Sequence, residues 1–270
     1  MCILLCTKSI PGYKLVLASN RDEFLSRPTA RAQFVDDKVL MPRDLVRNGT
    51  WIGITRRGRF CVLVNYRENG PFSGLVSRGA IPVDFLFNEN NDDIVTWIEG
   101  EKKKTNNFKD VGGFSLIVGD LSKDTNMFIF SNRHEGLYDP FKDGRKSVGL
   151  SNSAVMNPWP KVKLGEKLLT DYADKCNGVV PNENELINAL IDILSHQTIE
   201  GGELYSVLDG NGSNTVQETI FVPALVNENG PGYGTRTQTL VMVTDKDEII
   251  YVERDVALNE RQIHRFFIEK

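Results

Sequence analysis

The first 23 residues read MCILLCTKSIPGYKLVLASNRDE, two short apolar runs separated by a Pro-Gly pair. The runs Cys2–Lys8 and Tyr13–Asn20 have the composition of β-strands, and Ile10-Pro11-Gly12 is typical of a hairpin turn. Because the strands of a hairpin are antiparallel, the end of the second strand lies beside the start of the first. The hairpin therefore predicts that the polar stretch Asn20-Arg21-Asp22-Glu23 lies next to Cys2.

Cys2 directly follows an initiator methionine, which is normally removed when the next residue is small. Removal leaves a thiol and an α-amine on the same residue. The amine has a reference pKa of about 7.7–8.0 and the thiol one of about 8.5, so the amine can accept the thiol proton near neutral pH. The pattern predicts an N-terminal nucleophile. The alternative is a small buried residue of the first strand without chemical function.

The bulk properties are those of a globular protein large enough to bury a sizeable core, with 270 residues, 40% hydrophobic and 25% charged. A net charge of −4 argues against a nucleic-acid-binding surface. No apolar run approaches the roughly 18 residues that span a bilayer, and no secretory signal is recognisable. The four cysteines show no CxxC spacing, which predicts reduced thiols, no metal site and a cytoplasmic protein.

The remaining periodicities alternate between strand-like and helical, with strands at both ends of the chain and helices in the middle. This order predicts one α+β domain over residues 1–270. Further strands are predicted at Gly49–Thr55, Arg59–Tyr66, Phe114–Gly119, Met127–Phe130, Ser147–Ser151, Thr237–Val243 and Glu248–Arg254, helices at Ala80–Phe87, Asp92–Lys103, Lys161–Lys175 and Glu183–Ser195, and loops at Ser206–Gly212 and Gly230–Gly234.

Polar residues at predicted strand ends suggest a catalytic constellation. An N-terminal cysteine that cleaves an amide needs an oriented amine, donors for the oxyanion and a charge that holds the network. Asp22 can orient the amine, Asn65 and Asn152 can hold the oxyanion, and Arg236 can supply the charge. Structural alternatives stay open, namely a cap or turn role for Asp22, left-handed turn positions for the two Asn residues, and a salt bridge for Arg236.

Six spaced motifs carry a resemblance to a known family. They are Met-Cys-Ile at the start, Ser19–Glu23, Gly49–Gly53, Val64–Arg67, Gly149–Ser153 and Gly232–Thr237. Together they resemble the NRDE family, also called the Transport and Golgi Organisation protein 2 family, from residue 2 to about residue 255. The resemblance implies the four-layer αββα sandwich of N-terminal nucleophile (Ntn) hydrolases. It also implies roles in Golgi organisation and secretion, haem movement, and mitochondrial and lipid metabolism.

A more distant resemblance is to the bile-salt hydrolase and penicillin V acylase group of Ntn hydrolases. It implies catalytic roles for Cys2, Asp22, Asn65, Asn152 and Arg236.

The chain departs from those hydrolases in the position of one arginine. The hydrolases place an Arg three residues before the Asp, where this chain has Ser19, whereas Arg21 immediately precedes Asp22. Because adjacent strand residues point to opposite faces, Arg21 is expected to face away from the thiol.

The family resemblance, together with the absence of the hydrolase spacing of the arginine, favours binding or transfer of an amphipathic metabolite as the function. Haem or an acyl-CoA-like lipid is the expected ligand, with haem as cargo rather than cofactor. One alternative is an active amidase or thioesterase with Cys2 as nucleophile, and another is a membrane-traffic scaffold that acts through protein partners. The expected location is the cytoplasm, with association with mitochondria or the Golgi and peripheral membrane contact left open. The expected ligand contacts are Asn20, Arg21, Tyr66, Arg67 and Tyr233.

Overall fold

The computed structural model describes residues 2–68, 75–88, 92–122, 126–198, 215–227 and 230–270. The chain divides into two compact units, one formed by Met1–Ser26 with Phe141–Phe267 and the other by Arg27–Pro140 with Ile268–Lys270. Within the described residues, each unit contains a seven-stranded sheet whose strand pairs are antiparallel, together with helices. The predicted α+β class is confirmed, and each unit supplies one sheet and helices of the kind that the αββα sandwich requires. The single domain over 1–270 stays a prediction.

The helices and strands are numbered in chain order. They are β1 (Ile3–Thr7), β2 (Tyr13–Phe24), β3 (Thr29–Val35), β4 (Val39–Asp44), β5 (Ile52–Thr55), β6 (Arg59–Asn65), α1 (Ala80–Leu86), α2 (Ile94–Lys104), β7 (Phe114–Asp120), β8 (Asn126–Ser131), β9 (His134–Tyr138), β10 (Ser147–Ser151), α3 (Pro160–Cys176), α4 (Glu183–Leu194), α5 (Thr215–Glu218), β11 (Leu225–Asn227), β12 (Gly230–Thr244), β13 (Glu248–Asp255) and β14 (Glu260–Phe267). Among the described helices, none is both long enough and apolar enough to cross a membrane.

The first unit has the strand order β10-β1-β2-β12-β13-β14, with β11 beside β12. Alternate residues of the central strands point to α3 and α4, because side chains along a strand alternate between its two faces. Ile3 and Leu5 of β1 lie in this core with Val162 of α3 and Leu186 of α4. The core therefore fixes α3 and α4 on one face of the sheet.

The second unit has the strand order β3-β4-β5-β6-β7-β8-β9. Its core joins apolar residues of the sheet to those of α1 and α2. The rings of Phe85 in α1 and Trp97 in α2 meet edge to face at 4.8 Å, the geometry that aromatic pairs prefer. The two helices are thus held to one another as well as to the sheet.

Two predicted loop or strand-end features are wrong. β2 continues to Phe24, so the stretch Asn20–Glu23 lies inside a strand and not after it. The glycine-rich segment 230–234, expected as a flexible loop, begins β12, because Tyr233 and Gly234 pair with Phe24 and Glu23 of β2. The predicted loop Ser206–Gly212 lies outside the described residues.

Five strands were not predicted, and three of them end their sheets. β3, β9 and β14 end their sheets, and five of the eight positions of β14 are exposed. An edge strand with little buried surface lacks the regular apolar alternation on which prediction depends. The other two are β4, which lies directly beside β3, and the three-residue β11, which pairs with β12.

The contact between α3 and β1 can be tested at Gly165. A Cβ atom there would lie 2.7 Å from Cδ2 and 2.9 Å from Cδ1 of the fully buried Leu5. We expect Gly165→Ala to lower the free energy of unfolding by about 1–3 kcal/mol, because overpacking exceeds the gain of about 1 kcal/mol in helix propensity. Gly100 in α2 is the matched control, since nothing lies within 4 Å of its added Cβ, and Gly100→Ala should stabilise by about 0.5–1 kcal/mol. Equal stabilisation of both variants in urea unfolding would contradict this packing.

A carboxyl pair links α1 to α2 in the second unit. Lys104 Nζ lies 2.7 Å from Oε1 of Glu101 and 3.0 Å from Oδ2 of Asp84, and Trp97 Nε1 donates to the same Asp84 oxygen at 3.3 Å. Burial, together with the hydrogen bond to Asp84, raises the pKa of Glu101 to about 7. The folded protein therefore favours the protonated form of Glu101.

A raised pKa gives a stabilisation that is complete below the unfolded pKa of about 4.3 and is lost as the pH rises through 7. We expect wild type to lose on the order of 1–3 kcal/mol of unfolding free energy over this window relative to Glu101→Gln, which cannot ionise. The exposed Glu99, paired with Lys102 at the surface, provides the control Glu99→Gln, which should retain the wild-type profile. Parallel pH profiles of wild type and Glu101→Gln in denaturant unfolding would refute the expectation.

Candidate functional site around Cys2

Cys2 lies directly before β1, where the sheet of the first unit brings three strands together. Ile3, its neighbour, pairs with Asn20 of β2 and with Ser151 of β10. The hydroxyl of Ser151 donates a hydrogen bond of 2.7 Å to the carbonyl oxygen of Cys2. The predicted hairpin, and the position of the polar stretch beside Cys2, are confirmed.

Asp22 of β2 is a buried residue, with 5% of its surface exposed. The thiol of Cys2 donates to the main-chain carbonyl of Asp22, with 3.9 Å between sulfur and oxygen. Oδ1 of Asp22 accepts a 2.7 Å hydrogen bond from Oγ1 of Thr235, which itself accepts from the main-chain nitrogen of Val222 at 2.9 Å. Asp22 is therefore held inside a strand and is not a cap or turn residue.

Tyr233 approaches the same carbonyl from β12. Its hydroxyl donates to the carbonyl oxygen of Asp22 at 3.2 Å, and its ring meets that of Phe24 edge to face at 5.4 Å. Burial, with the nearby negative charges of Asp22 and Cys2, raises the pKa of Tyr233 well above that of an ordinary phenol. The phenol therefore stays protonated and acts as a donor.

Lys161, the second residue of α3, was not among the predicted site residues. Its side chain is fully buried, and Nζ lies 5.7 Å from the centroid of the Trp159 ring. Burial lowers the pKa of Lys161, whereas the negative charges of Asp22 and Cys2 raise it. A sequence signal did exist: a lysine directly after Pro160 stands in the first turn of the helix, where the helix dipole disfavours a cation.

Asn152 and Arg21 flank Cys2 on its two neighbouring strands. Continuing the strand registers by one residue places Asn152 opposite Cys2 on one side and Arg21 on the other. Directly opposed residues of an antiparallel pair share a face, and the charge of Arg21 lowers the pKa of the thiol. The expectation that Arg21 faces away from the thiol is therefore wrong. Arg21 also lies 3.7 Å from a carboxylate oxygen of Glu23.

Arg236 and Asn20 make contacts that their predicted roles do not describe. Arg236 occupies a bulge of β12, and its guanidinium donates to the carbonyl of Phe24 at 3.2 Å. The side-chain nitrogen of the fully buried Asn20 donates to the carbonyls of Leu194 and Ile220, at 2.8 and 2.9 Å. Asn20 thus joins β2 to the end of α4. The catalytic role of Arg236 and the ligand contact of Asn20 stay predictions.

Asn65, Tyr66 and Arg67 belong to the second unit. Asn65 ends β6 opposite Phe114, and the ring of Tyr66 meets that of His134 at 5.7 Å. The cluster described around Cys2 is formed by residues of the first unit. The predicted roles of Asn65, Tyr66 and Arg67 stay predictions.

The second unit contains a cavity of its own, of about 480 Å³. Its walls combine apolar carbon with the charged side chains of Asp84 and Lys104. The predicted site residues do not line it. The lining residues are Asn48, Ala80, Val83, Asp84, Phe87, Asn88 and Lys104. Over the described ranges, no group of three or more His, Cys, Asp or Glu side chains is arranged to hold a metal ion.

The thiol of Cys2 needs a base to react at neutral pH. Burial raises the pKa of Cys2, the negative charge of Asp22 raises it further, and the charge of Arg21 opposes these effects. Thiolate is the reactive form of cysteine, so a group that removes the proton is required. In the chain that keeps Met1, the nitrogen of Cys2 is part of a peptide bond and cannot be that group.

Native-state alkylation tests this description of the thiols. We expect iodoacetamide to modify the half-buried Cys2 and Cys176 and to leave the fully buried Cys6 and Cys61 unmodified. Because the pKa of Cys2 is raised, its alkylation rate in the chain that keeps Met1 should still increase above pH 9, as read by peptide mass spectrometry. Labelling of Cys6 as fast as Cys2, or a plateau for Cys2 below pH 8, would show that the site is built differently.

Comparison with solved structures identifies two enzymes with distant similarity. A variant of conjugated bile acid hydrolase from Clostridium perfringens has a TM-score of 0.44 and 12% identity, covering 99% of this chain and 92% of that one. The N-acylethanolamine-hydrolyzing acid amidase ortholog of Caenorhabditis elegans has a TM-score of 0.43 and 11% identity, covering 89% and 92%. At these scores neither enzyme assigns an activity or a site residue to this chain.

Comparison of sequences is more specific. The human protein named Transport and Golgi organization protein 2 homolog is 30% identical over 250 residues, which cover 91% of this chain and 87% of the human protein. Residues 1–257 match the family described as Transport and Golgi organisation 2. The resemblance carried by the six motifs is thereby confirmed, and this chain belongs to the Transport and Golgi organisation 2 family.

Proposed function

We propose that this protein, once Met1 is removed, is an N-terminal cysteine hydrolase that cleaves an amide or thioester bond in an acylated, amphipathic metabolite. The observation that carries the proposal is the thiol of Cys2, which donates to the main-chain carbonyl of Asp22, a residue whose buried carboxylate is held in place by Thr235. A buried carboxylate beside a potential nucleophile is typical of a catalytic site. The name of the human relative, Transport and Golgi organization protein 2 homolog, supports a role for this activity in Golgi organisation.

The proposed reaction needs no groups beyond those of the first unit, the substrate and water. The α-amine of Cys2 takes the thiol proton while the sulfur bonds to the substrate carbonyl carbon. In this proposal Asn152, which follows the β10 partner of Ile3, donates to the oxyanion, and Asp22 orients the amine. The ammonium then gives its proton to the leaving nitrogen or sulfur as the carbon–nitrogen or carbon–sulfur bond breaks. Water attacks the resulting thioester and returns a proton to the amine, which releases the acid and restores the thiol.

Apolar side chains on the elements that carry the cluster favour an acyl substrate. Phe24, which packs on Tyr233, has 44% of its surface exposed. Met156, in the loop after Asn152, has 76% exposed. Exposed apolar surface of this kind suits a hydrocarbon chain. The same observation also favours the second candidate function, binding or transfer of an acyl-CoA-like lipid or haem without turnover.

The experiment compares two forms of one chain, a form released from a fusion so that Cys2 is the first residue and a form that retains Met1. Both are incubated with acyl-CoA thioesters and N-acyl amides, and acid-quenched samples are analysed by intact mass and peptide mass spectrometry. We expect hydrolysis by the Cys2-first form alone, and an acyl group on Cys2. Cys2→Ala should reduce the rate at least about 10³-fold because it removes the nucleophile, and Cys2→Ser should leave a slow enzyme.

Cys6→Ala is the matched control, since Cys6 belongs to the same strand but is fully buried with a raised pKa. It should keep the wild-type rate. Saturable binding of acyl-CoA or haemin without turnover, equal in wild type and Cys2→Ala, would contradict the hydrolase function and support the transfer function. Turnover that survives Cys2→Ala would refute the role of the cysteine.

A further inference from the structure

We propose that the cavity of the second unit binds a small carboxylic acid with an apolar body through Lys104 and Asn48, and that it binds this ligand more tightly when Glu101 is protonated. All residues of the cavity belong to the second unit, so the site does not depend on the hydrolysis proposed for Cys2. Its volume of about 480 Å³ lies within the range of roughly 300–1,000 Å³ that is usual for small-molecule sites. The wall, the floor and the charges of the cavity support the assignment.

One wall of the cavity is built on a close crossing of two glycines. A Cβ atom on Gly49 would lie 2.6 Å from the carbonyl carbon of Gly79, and the main-chain nitrogen of Thr50 donates to the carbonyl of Gly79 at 3.0 Å. A side chain on Gly49 would prevent so close an approach of the two backbones. The crossing brings Asn48 beside the start of α1, and the first residue of the motif Gly49–Gly53 thus shapes the cavity.

The floor of the cavity is apolar. It contains Val83 of α1 and Phe87, which follows the last residue of that helix, and residues four apart lie on the same side of a helix. Both side chains are half-buried against the core of the second unit, which leaves part of their surface to the cavity. Such a surface beside polar groups suits a ligand with a hydrocarbon or aromatic body.

The negative charge of Asp84 is already compensated within the protein. Its Oδ2 accepts from Nε1 of Trp97 and from Nζ of Lys104, at 3.3 and 3.0 Å, and its carboxyl group shares a hydrogen bond with Glu101. A carboxylate with three such partners has little capacity left for a ligand. An amine in the cavity would also meet the ammonium group of Lys104, which argues against a cationic ligand.

Lys104 retains a donor for an anion. An ammonium group carries three protons, and Nζ of Lys104 directs two of them to Asp84 and Glu101, at 3.0 and 2.7 Å. The third has no acceptor among the residues that the structure describes, and the side chain is 61% exposed. The free charge of the cavity is therefore positive.

Asn48 supplies a second donor. Its side chain makes no hydrogen bond within the described ranges, and it lies exposed at the cavity wall. Its φ of 54° lies in the left-handed region, which asparagine adopts more readily than most residues. A side-chain amide and an ammonium group beside an apolar floor are the donors that a carboxylate with an apolar body requires.

Glu101 links this site to pH. The charged groups that act on it are Asp84 of α1 and Lys104 of α2, and burial, together with the hydrogen bond to Asp84, raises the pKa of Glu101 to about 7. When Glu101 is protonated, the charges of Asp84 and Lys104 balance. When Glu101 ionises, its negative charge repels a carboxylate and holds Lys104 more strongly. Binding of a carboxylate therefore weakens as the pH rises through 7.

The test is calorimetric titration of the full chain with octanoate, which is ionised at both about pH 6 and about pH 8. If only the form with protonated Glu101 binds, Kd should be about tenfold higher at the upper pH, where about a tenth of Glu101 is protonated. Glu101→Gln cannot ionise and should give equal Kd values at both. Octanamide, which lacks the charge, and inorganic phosphate, which lacks the apolar body, should each bind at least about tenfold more weakly than octanoate at the lower pH.

A matched pair of lysine variants locates the binding charge. Lys104→Met should raise Kd for octanoate at least about tenfold at the lower pH. Lys102→Met should leave it unchanged, since Lys102 pairs with Glu99 at the surface of the same helix and does not line the cavity. NMR of the wild-type chain requires no substitution, and the side-chain amide signals of Asn48 should move on addition of octanoate.

Several outcomes would overturn the proposal. They are octanoate binding that does not saturate below about 10 mM, an equal loss of affinity in Lys104→Met and Lys102→Met, and unchanged amide signals of Asn48. A Kd that is independent of pH in wild type, or that changes with pH equally in Glu101→Gln, also overturns it. None of these measurements involves Cys2 or turnover, so they decide the site whether or not hydrolysis is found.

Discussion

The pairing of β2 with both β1 and β12 is the constraint on which the site depends. β2 is bonded on one side from Val16 to Asn20 and on the other from Tyr13 to Phe24. A strand paired on both sides has no freedom to shift its register without moving its apolar residues out of the core. The register therefore determines which polar side chains stand beside Cys2. The bulge at Arg236 lets β12 follow β2 to its end while Thr235 stays opposite Asp22.

The site contains charged side chains that are buried, and burial removes the water that stabilises a charge. Three charged residues of the first unit are each at least nine-tenths buried, namely Arg21, Asp22 and Lys161. A buried ion is tolerated only when opposite charges and hydrogen bonds compensate the loss of water. The positive charge of Arg21 lowers the pKa of the Cys2 thiol and so opposes the effect of burial. A protein that needed only stability would gain more from apolar residues at these positions, which is why the arrangement argues for chemistry.

The carboxyl pair of the second unit shows a different solution to the same problem. Glu101 is buried beside Asp84, and two carboxylates so close cannot both ionise cheaply. There the proton, shared between α1 and α2 with help from Lys104, compensates for the burial. Around Cys2, by contrast, the buried carboxylate of Asp22 accepts a hydrogen bond from the hydroxyl of Thr235. A buried carboxyl group thus serves packing in the second unit and a candidate reaction in the first.

The sequence by itself determined the hairpin that opens the chain, the α+β class, most central strands and helices, and the family. These features are local, because they depend on residues that are close together in the sequence. Such residues form the apolar alternation, the turns and the short motifs. It did not reveal the edge strands β3, β9 and β14, whose exposed residues carry little alternation, nor that glycine-rich residues 230–234 extend a strand.

Tertiary structure alone decided that Arg21 stands beside Cys2 and that Asn20 anchors α4. Each of these depends on strand register and on where a helix lands on a sheet, which are properties of packing between distant segments.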